Sequence, residues 1–173
     1  MDIIVEQLIR RKRQAKDFIK VFLCLVAATV IITMMILAPF GNIVGTIIFF
    51  AGAALVYFLY HLGTSVNLEY EYCFVNGALD VDKIIAARKR KRLTELNARN
   101  IEIMASTKNR AFRGYMNDRD IKKIYACSSV NDIDVFFVIY NYKEEKHMLL
   151  FNPNDKIKDG FRRLNPQKVF LED

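Results

Sequence analysis

VFLCLVAATVIITMMILAPFGNIVGTIIFFAGAALVYFLYHLGTSVNL, running from Val21 to Leu68, decides the architecture of this chain. It holds no Asp, Glu, Lys or Arg and is built mostly of Val, Ile, Leu, Phe, Met and Ala. Near its middle, Ala38-Pro39-Phe40-Gly41-Asn42 gathers turn formers and leaves two apolar runs, Val21 to Leu37 and Ile43 to Leu62. A membrane-crossing helix needs about 17 to 25 mostly apolar residues. Lipid offers backbone amides no partner, so each run must satisfy its own hydrogen bonds as a helix. The reading is a two-helix transmembrane hairpin over 21–62, followed by a domain over 63–173.

The average hides this division. Over 173 residues and 20.1 kDa the mean hydropathy is only +0.11, because a strongly charged segment follows Asn67. That segment is long enough for one domain with its own core. A formal net charge of +7 and a pI near 9.3 suit an anionic partner. Beside a membrane segment, anionic phospholipid head groups are the simplest such partner. Cys24, Cys73 and Cys127 lack metal or disulfide spacing and read as unpaired thiols in a reducing compartment. The polar and amphipathic residues ahead of the first run, and the second run after it, favour insertion without signal cleavage.

Residues 1–20 read as an amphipathic juxtamembrane helix. Ile4, Leu8, Ala15 and Ile19 share one side at 3.6 residues per turn, while Asp2, Glu6, Arg10, Arg13, Asp17 and Lys20 cluster opposite. Periodicity leaves open whether the membrane interface or the later domain covers that stripe. Arg10, Arg11, Lys12 and Arg13 precede the first span, the connecting turn is uncharged, and Arg88-Lys89-Arg90-Lys91-Arg92 follows the second. Retention of Lys and Arg in the cytoplasm then predicts a multi-pass protein of the cytoplasmic membrane with both termini inside. His61 reads as an interfacial residue beside Tyr57, Phe58 and Tyr60.

After Asn67 the period changes to two. Leu68, Tyr70, Tyr72 and Phe74 alternate with Glu69, Glu71 and Cys73, and Asn76-Gly77 supplies a two-residue hairpin turn. That turn places Phe74 opposite Leu79, Tyr72 opposite Val81 and Glu71 opposite Asp82. Glu69, Glu71, Asp80 and Asp82 therefore share a surface, which like-charge repulsion disfavours unless something neutralises it. A divalent cation is one candidate. The stronger is the basic run itself, laid alongside as the next strand with alternate side chains over the acids. No metal site or cofactor is expected.

Ile101, Ile103 and Met104 read as a short strand or a helical turn, Ser106 to Asp120 as a long mobile loop, and Ile121 to Cys127 as a short strand. Val135 to Tyr142 is the strongest core strand, and His147 to Phe151 returns beside it, with His147 a strand residue and nothing more. Asn152-Pro153-Asn154-Asp155 starts a helix that runs to Leu164 with Ile157, Phe161 and Leu164 facing a core. Val169 and Phe170 add a last contact.

Successive hairpins closed by one C-terminal amphipathic helix resemble a pleckstrin-homology (PH)-like domain. The whole chain resembles small bacterial two-helix membrane proteins with a cytoplasmic PH-like domain, a domain-of-unknown-function family. The stretches that carry this are Leu-Glu-Tyr-Glu-Tyr (68–72), Asn-Gly-Ala-Leu-Asp-Val-Asp-Lys-Ile-Ile (76–85), Arg-Lys-Arg-Lys-Arg-Leu (88–93) and Asn-Pro-Gln-Lys-Val-Phe (165–170). The resemblance implies a membrane α-helical hairpin plus an α+β domain, a small antiparallel β-barrel or sandwich closed by the C-terminal helix. It carries no enzymatic activity over.

On the residues alone, no phosphate loop, nucleophile motif or paired metal-ligand spacing supports an enzyme. The basic residues lack interleaved aromatics, which argues against nucleic acid. The leading expectation is a membrane-anchored interaction module touching anionic lipid through Arg88, Lys89, Arg90, Lys91, Arg92, Arg10, Arg11, Lys12 and Arg13. Its competitors are a solvated hairpin edge with ordinary positive-inside bias, and a scaffold or complex subunit for an unidentified membrane or cytoplasmic protein.

Overall fold

The computed structural model describes residues 4–38 and 41–171. Pro39 and Phe40 of the expected turn, and Asp2 of the expected N-terminal helix, lie outside the described residues. The chain divides into two units: Arg13–Asn67, and the described residues up to Lys12 together with those from Leu68 onward.

The first unit is a pair of helices, α1 (Ala15–Leu37) and α2 (Ile43–Thr64). At about 1.5 Å per residue each is a little over 30 Å long, matching a hydrocarbon core of about 30 Å. Their best 18-residue windows have mean hydropathies of 2.5 and 2.2, and almost none of that surface is buried by protein. These are two candidate membrane-spanning helices. The Asp17 carboxylate accepts the Gln14 N–H at 2.9 Å to start α1, and Asn42 Oδ1 accepts the Gly45 N–H at 2.8 Å to start α2. Gly52 is buried where the helices meet, and a Cβ there would fall 2.5 Å from Met35 Sδ. Small residues permit such an approach. The His61 ring sits edge-on to Tyr57, with centroids 4.8 Å apart.

The second unit holds two sheets. Sheet 1 is antiparallel in the order β1 (Ile4–Arg10), β2 (Leu68–Val75), β3 (Ala78–Ile85), β4 (Lys89–Asn97). Sheet 2 comprises β5 (Ile101–Ser106), β6 (Lys122–Tyr125), β7 (Phe136–Tyr142), β8 (Glu145–Phe151) and β9 (Val169–Phe170), in the order β6-β8-β7-β5-β9. The β6–β8 and β5–β9 pairs are parallel, so sheet 2 is mixed, and the two sheets stay separate without closing into a barrel. Between them lies one apolar core of Tyr72, Phe74, Leu79, Val81, Val138, Leu149 and Phe151, completed by Ile157 and Phe161. Those last two come from α4 (Asp155–Leu164), whose Asn154 cap accepts the Ile157 N–H at 2.9 Å.

The N-terminal helix expected over 1–20 is corrected. Ile4–Arg10 is a strand, paired with β2 from Ile4↔Val75 to Arg10↔Glu69, and helix begins only at Ala15. The reason lies in the spacing. Ile4 and Leu8 are four residues apart, which puts them on one side of a helix and equally on one side of a strand. Val5 and Ile9 on the other side then settle into the inter-sheet core. The sheet unit therefore includes residues on both sides of the helix pair, not 63–173 alone.

The loop expected over Ser106 to Asp120 is also corrected. It contains α3 (Ala111–Asn117), whose Phe112 and Tyr115 rings lie 5.5 and 6.1 Å from Phe137. Together with Met116 they cover the far face of sheet 2. Ala111, Phe112, Tyr115 and Met116 form a helical stripe that surrounding polar residues obscure.

Candidate anionic-surface site

The basic run enters β4 through a tight turn. Arg88 N–H donates to the Ile85 carbonyl at 3.0 Å, and the intervening Ala86 and Ala87 have φ of +53° and +55°. Two left-handed residues in a two-residue hairpin ordinarily call for Asn-Gly, because Cβ opposes that conformation. Replacing Ala86-Ala87 by Asn-Gly is expected to stabilise the protein by about 1–2 kcal/mol. It would be read as a higher urea midpoint at unchanged slope.

From this turn the side chains of the run separate. Arg90 reaches Glu71 at 2.5 Å and Asp82 at 4.0 Å, and Arg92 reaches Asp80, Asp82 and Glu95 at 3.1, 3.7 and 3.2 Å. Arg10, at the opposite edge of the sheet, pairs with Glu69 at 2.8 Å. The register is as read from Asn76-Gly77: Phe74↔Leu79, Tyr72↔Val81 and Glu71↔Asp82. The acidic surface is thus crossed by arginines. Carboxylates still outnumber guanidinium groups there, since Glu6 lies opposite Cys73 on the same face. Burial pushes the Cys73 thiol up, and Glu6, Asp80, Glu71 and Asp82 push it further. A surface of that sign does not attract anionic lipid.

Of the other expected contacts, Lys12 Nζ is held by Asp132 at 2.5 Å, a bond that with Ser128 keeps the Asp132 carboxyl below its ordinary range. Arg11 joins the sheet through its main chain, donating to the Leu68 carbonyl at 2.9 Å. Arg13 donates to Asn67 Oδ1 at 2.9 Å within the helical unit. Lys89 and Lys91 differ. Both are exposed and neither makes an ion pair among the described residues. Lys91 lies opposite Lys83 on β3, a residue that sequence reasoning passed over because it stands outside the contiguous basic run. The lipid-facing set expected from sequence is therefore divided, with Arg10, Lys12, Arg90 and Arg92 engaged by carboxylates. No group of three or more His, Cys, Asp or Glu among the described residues is arranged to hold a metal ion.

Two sheets around one core with α4 laid against it fit a PH-like architecture, and a family model described as bacterial PH-like domain (DUF6106) matches residues 1–171. The chain belongs to this family. The match runs through β1, the helix pair and the sheets alike, so the bacterial PH-like domain here includes the strand that precedes the helices. Neither the curated proteins nor the solved structures contain a match to it.

Proposed function

We propose that this bacterial PH-like protein is a membrane-anchored, non-enzymatic interaction module, seated at the inner leaflet of the cytoplasmic membrane with both termini cytoplasmic. Its contact with anionic phospholipid would be made by the β3–β4 turn. The observation that carries this reading is the pair Lys89 and Lys91, exposed and without carboxylate partners beside Arg90 and Arg92, which have them. They lie at the end of sheet 1 where the chain leaves for α1 at Lys12 and rejoins from α2 at Leu68. Each Lys near an anionic surface adds about 1 kcal/mol, so the two together are worth roughly a 30-fold change in occupancy.

The test is amide exchange of the full chain in nanodiscs. With phosphatidylglycerol present, residues 85–92 should exchange more slowly than in pure phosphatidylcholine. Raised salt, or Lys89→Gln with Lys91→Gln, should abolish the difference. Equal exchange in both lipids removes the lipid contact. A second reading, a scaffold for a protein partner, is favoured by Ile4 and Leu8, which are 67% and 51% exposed on the acidic face of sheet 1. It predicts a basic partner retained through purification.

A further inference from the structure

The inward sides of both sheets converge on a second basic feature. Lys83 lies opposite Tyr70, whose side chain is buried in the inter-sheet core, and so Lys83 belongs to the inner side of sheet 1. On sheet 2, Lys122 pairs with His147 across β6 and β8, and His147 lies opposite Tyr140 of the same core. Between them is a cavity of about 340 Å³, lined by Lys83, Lys122, Lys123, Thr94, Tyr142 and His147 among others, with no carboxylate in its lining. That volume falls at the small end of ligand pockets.

Two observations point to an occupant. Lys83 and Lys122 make no ion pair among the described residues, and Lys123 Nζ donates to the Asp118 carbonyl, which leaves its charge uncompensated. The His147 side chain is only 5% exposed, yet neither ring nitrogen has a hydrogen-bond partner. Its ring is held by Tyr140 and Tyr142, each with its centroid 5.6 Å away, and the exposed Glu145 carboxylate lies 3.5 Å from Nε2, outside the cavity lining. A neutral imidazole always carries one N–H, and a buried N–H without an acceptor is costly. Lysines lining one cavity together with such a donor call for an acceptor-only anion.

We propose that this cavity binds a phosphate group, with Lys83 and Lys122 supplying charge and His147 donating a ring N–H. The group could reach the cavity as inorganic phosphate or as the phosphomonoester head group of a lipid. This goes beyond the surface contact of the β3–β4 turn, because it uses different residues and a defined cavity.

The experiment uses the full chain in detergent with ring-labelled histidine, which gives signals from His61 and His147 only. His147→Gln assigns them. Inorganic phosphate is titrated at fixed pH against chloride of matched ionic strength, and dihexanoyl phosphatidate against dihexanoyl phosphatidylcholine. A saturable shift of the His147 signals is expected, weakened at least about tenfold by Lys83→Gln with Lys122→Gln and unaltered by Lys89→Gln, whose strand partner is Ile85. Saturation by phosphate at lower concentration than by phosphatidate supports a free anion, and the reverse order supports a lipid head group. No shift with either probe, an equal shift with chloride, or a shift unaffected in the Lys83/Lys122 variant overturns the proposal. Such a failure leaves the turn's lipid contact untouched, since Lys89 and Lys91 carry that separately.

Discussion

Replacing residues 13–67 with a linker of about four Gly, Asn and Asp residues is expected to yield a folded protein that needs no detergent. Arg10 already lies opposite Glu69, and Arg11 N–H donates to the Leu68 carbonyl, so the ends to be joined are neighbouring strand termini. A fragment beginning at residue 67, by contrast, lacks β1. It gives up buried Val5, worth roughly 1.5–3 kcal/mol. It also gives up Gln7, which donates to the Asn152 carbonyl and accepts from the Asn154 N–H at 2.9 and 2.8 Å. At about 1 kcal/mol each, those bonds bring the loss to about 3.5–5 kcal/mol, a large part of the roughly 5–15 kcal/mol that holds a typical domain together. Urea unfolding of the two forms side by side checks this. Equal midpoints would mean that β1 is dispensable, and an excised form that still requires detergent would mean that the helices are not what ties the protein to lipid.

The second large effect belongs to α4. Phe161→Ala is expected to cost about 3–5 kcal/mol, because the ring is fully buried and packed cores relax only partly around a lost side chain. Phe161 lies 5.2 Å from the Phe74 ring and 6.3 Å from Phe151, joining α4 to a strand of each sheet. The neighbouring Gly160→Ala tests the same joint from the opposite direction. A Cβ there would stand 2.5 Å from Phe74 Cε1, so the added methyl is expected to cost about 1–3 kcal/mol. Exposed Arg163→Ala on the same helix should change stability by less than about 0.5 kcal/mol. Denaturant midpoints of the excised domain give all three values. A Phe161→Ala loss as small as that of Arg163→Ala would deny α4 its place in the core.

Several of these parts are legible in the chain because their causes are local. Asn76-Gly77 permits one turn geometry, and that alone fixes Tyr72 opposite Val81 and Glu71 opposite Asp82. Asn154 and the spacing of Ile157, Phe161 and Leu164 delimit α4 at Asp155–Leu164. The excess of carboxylates on β2 and β3 required a cationic neighbour, and the run at 88–92 supplied it through Arg90 and Arg92. β1 was not legible in the same way. Its partner lies across the whole helix pair, and a four-residue apolar spacing satisfies both helix and strand. The Ala86-Ala87 turn was hidden for another reason, because alanine carries no turn signal and the strands on either side impose its left-handed conformation.

By itself, then, the sequence determined the two apolar helices, the hairpin register and the closing helix, since each follows from hydrophobic period, turn chemistry or capping within a few residues. Only the tertiary structure decided which cations stay unengaged. Whether a lysine meets a carboxylate depends on strands far apart in the chain, as with Lys12 and Asp132, and so does the meeting of Lys83, Lys122 and His147 around one cavity. Charge can be counted along a chain, but its compensation depends on distances that exist only after the two sheets have come together.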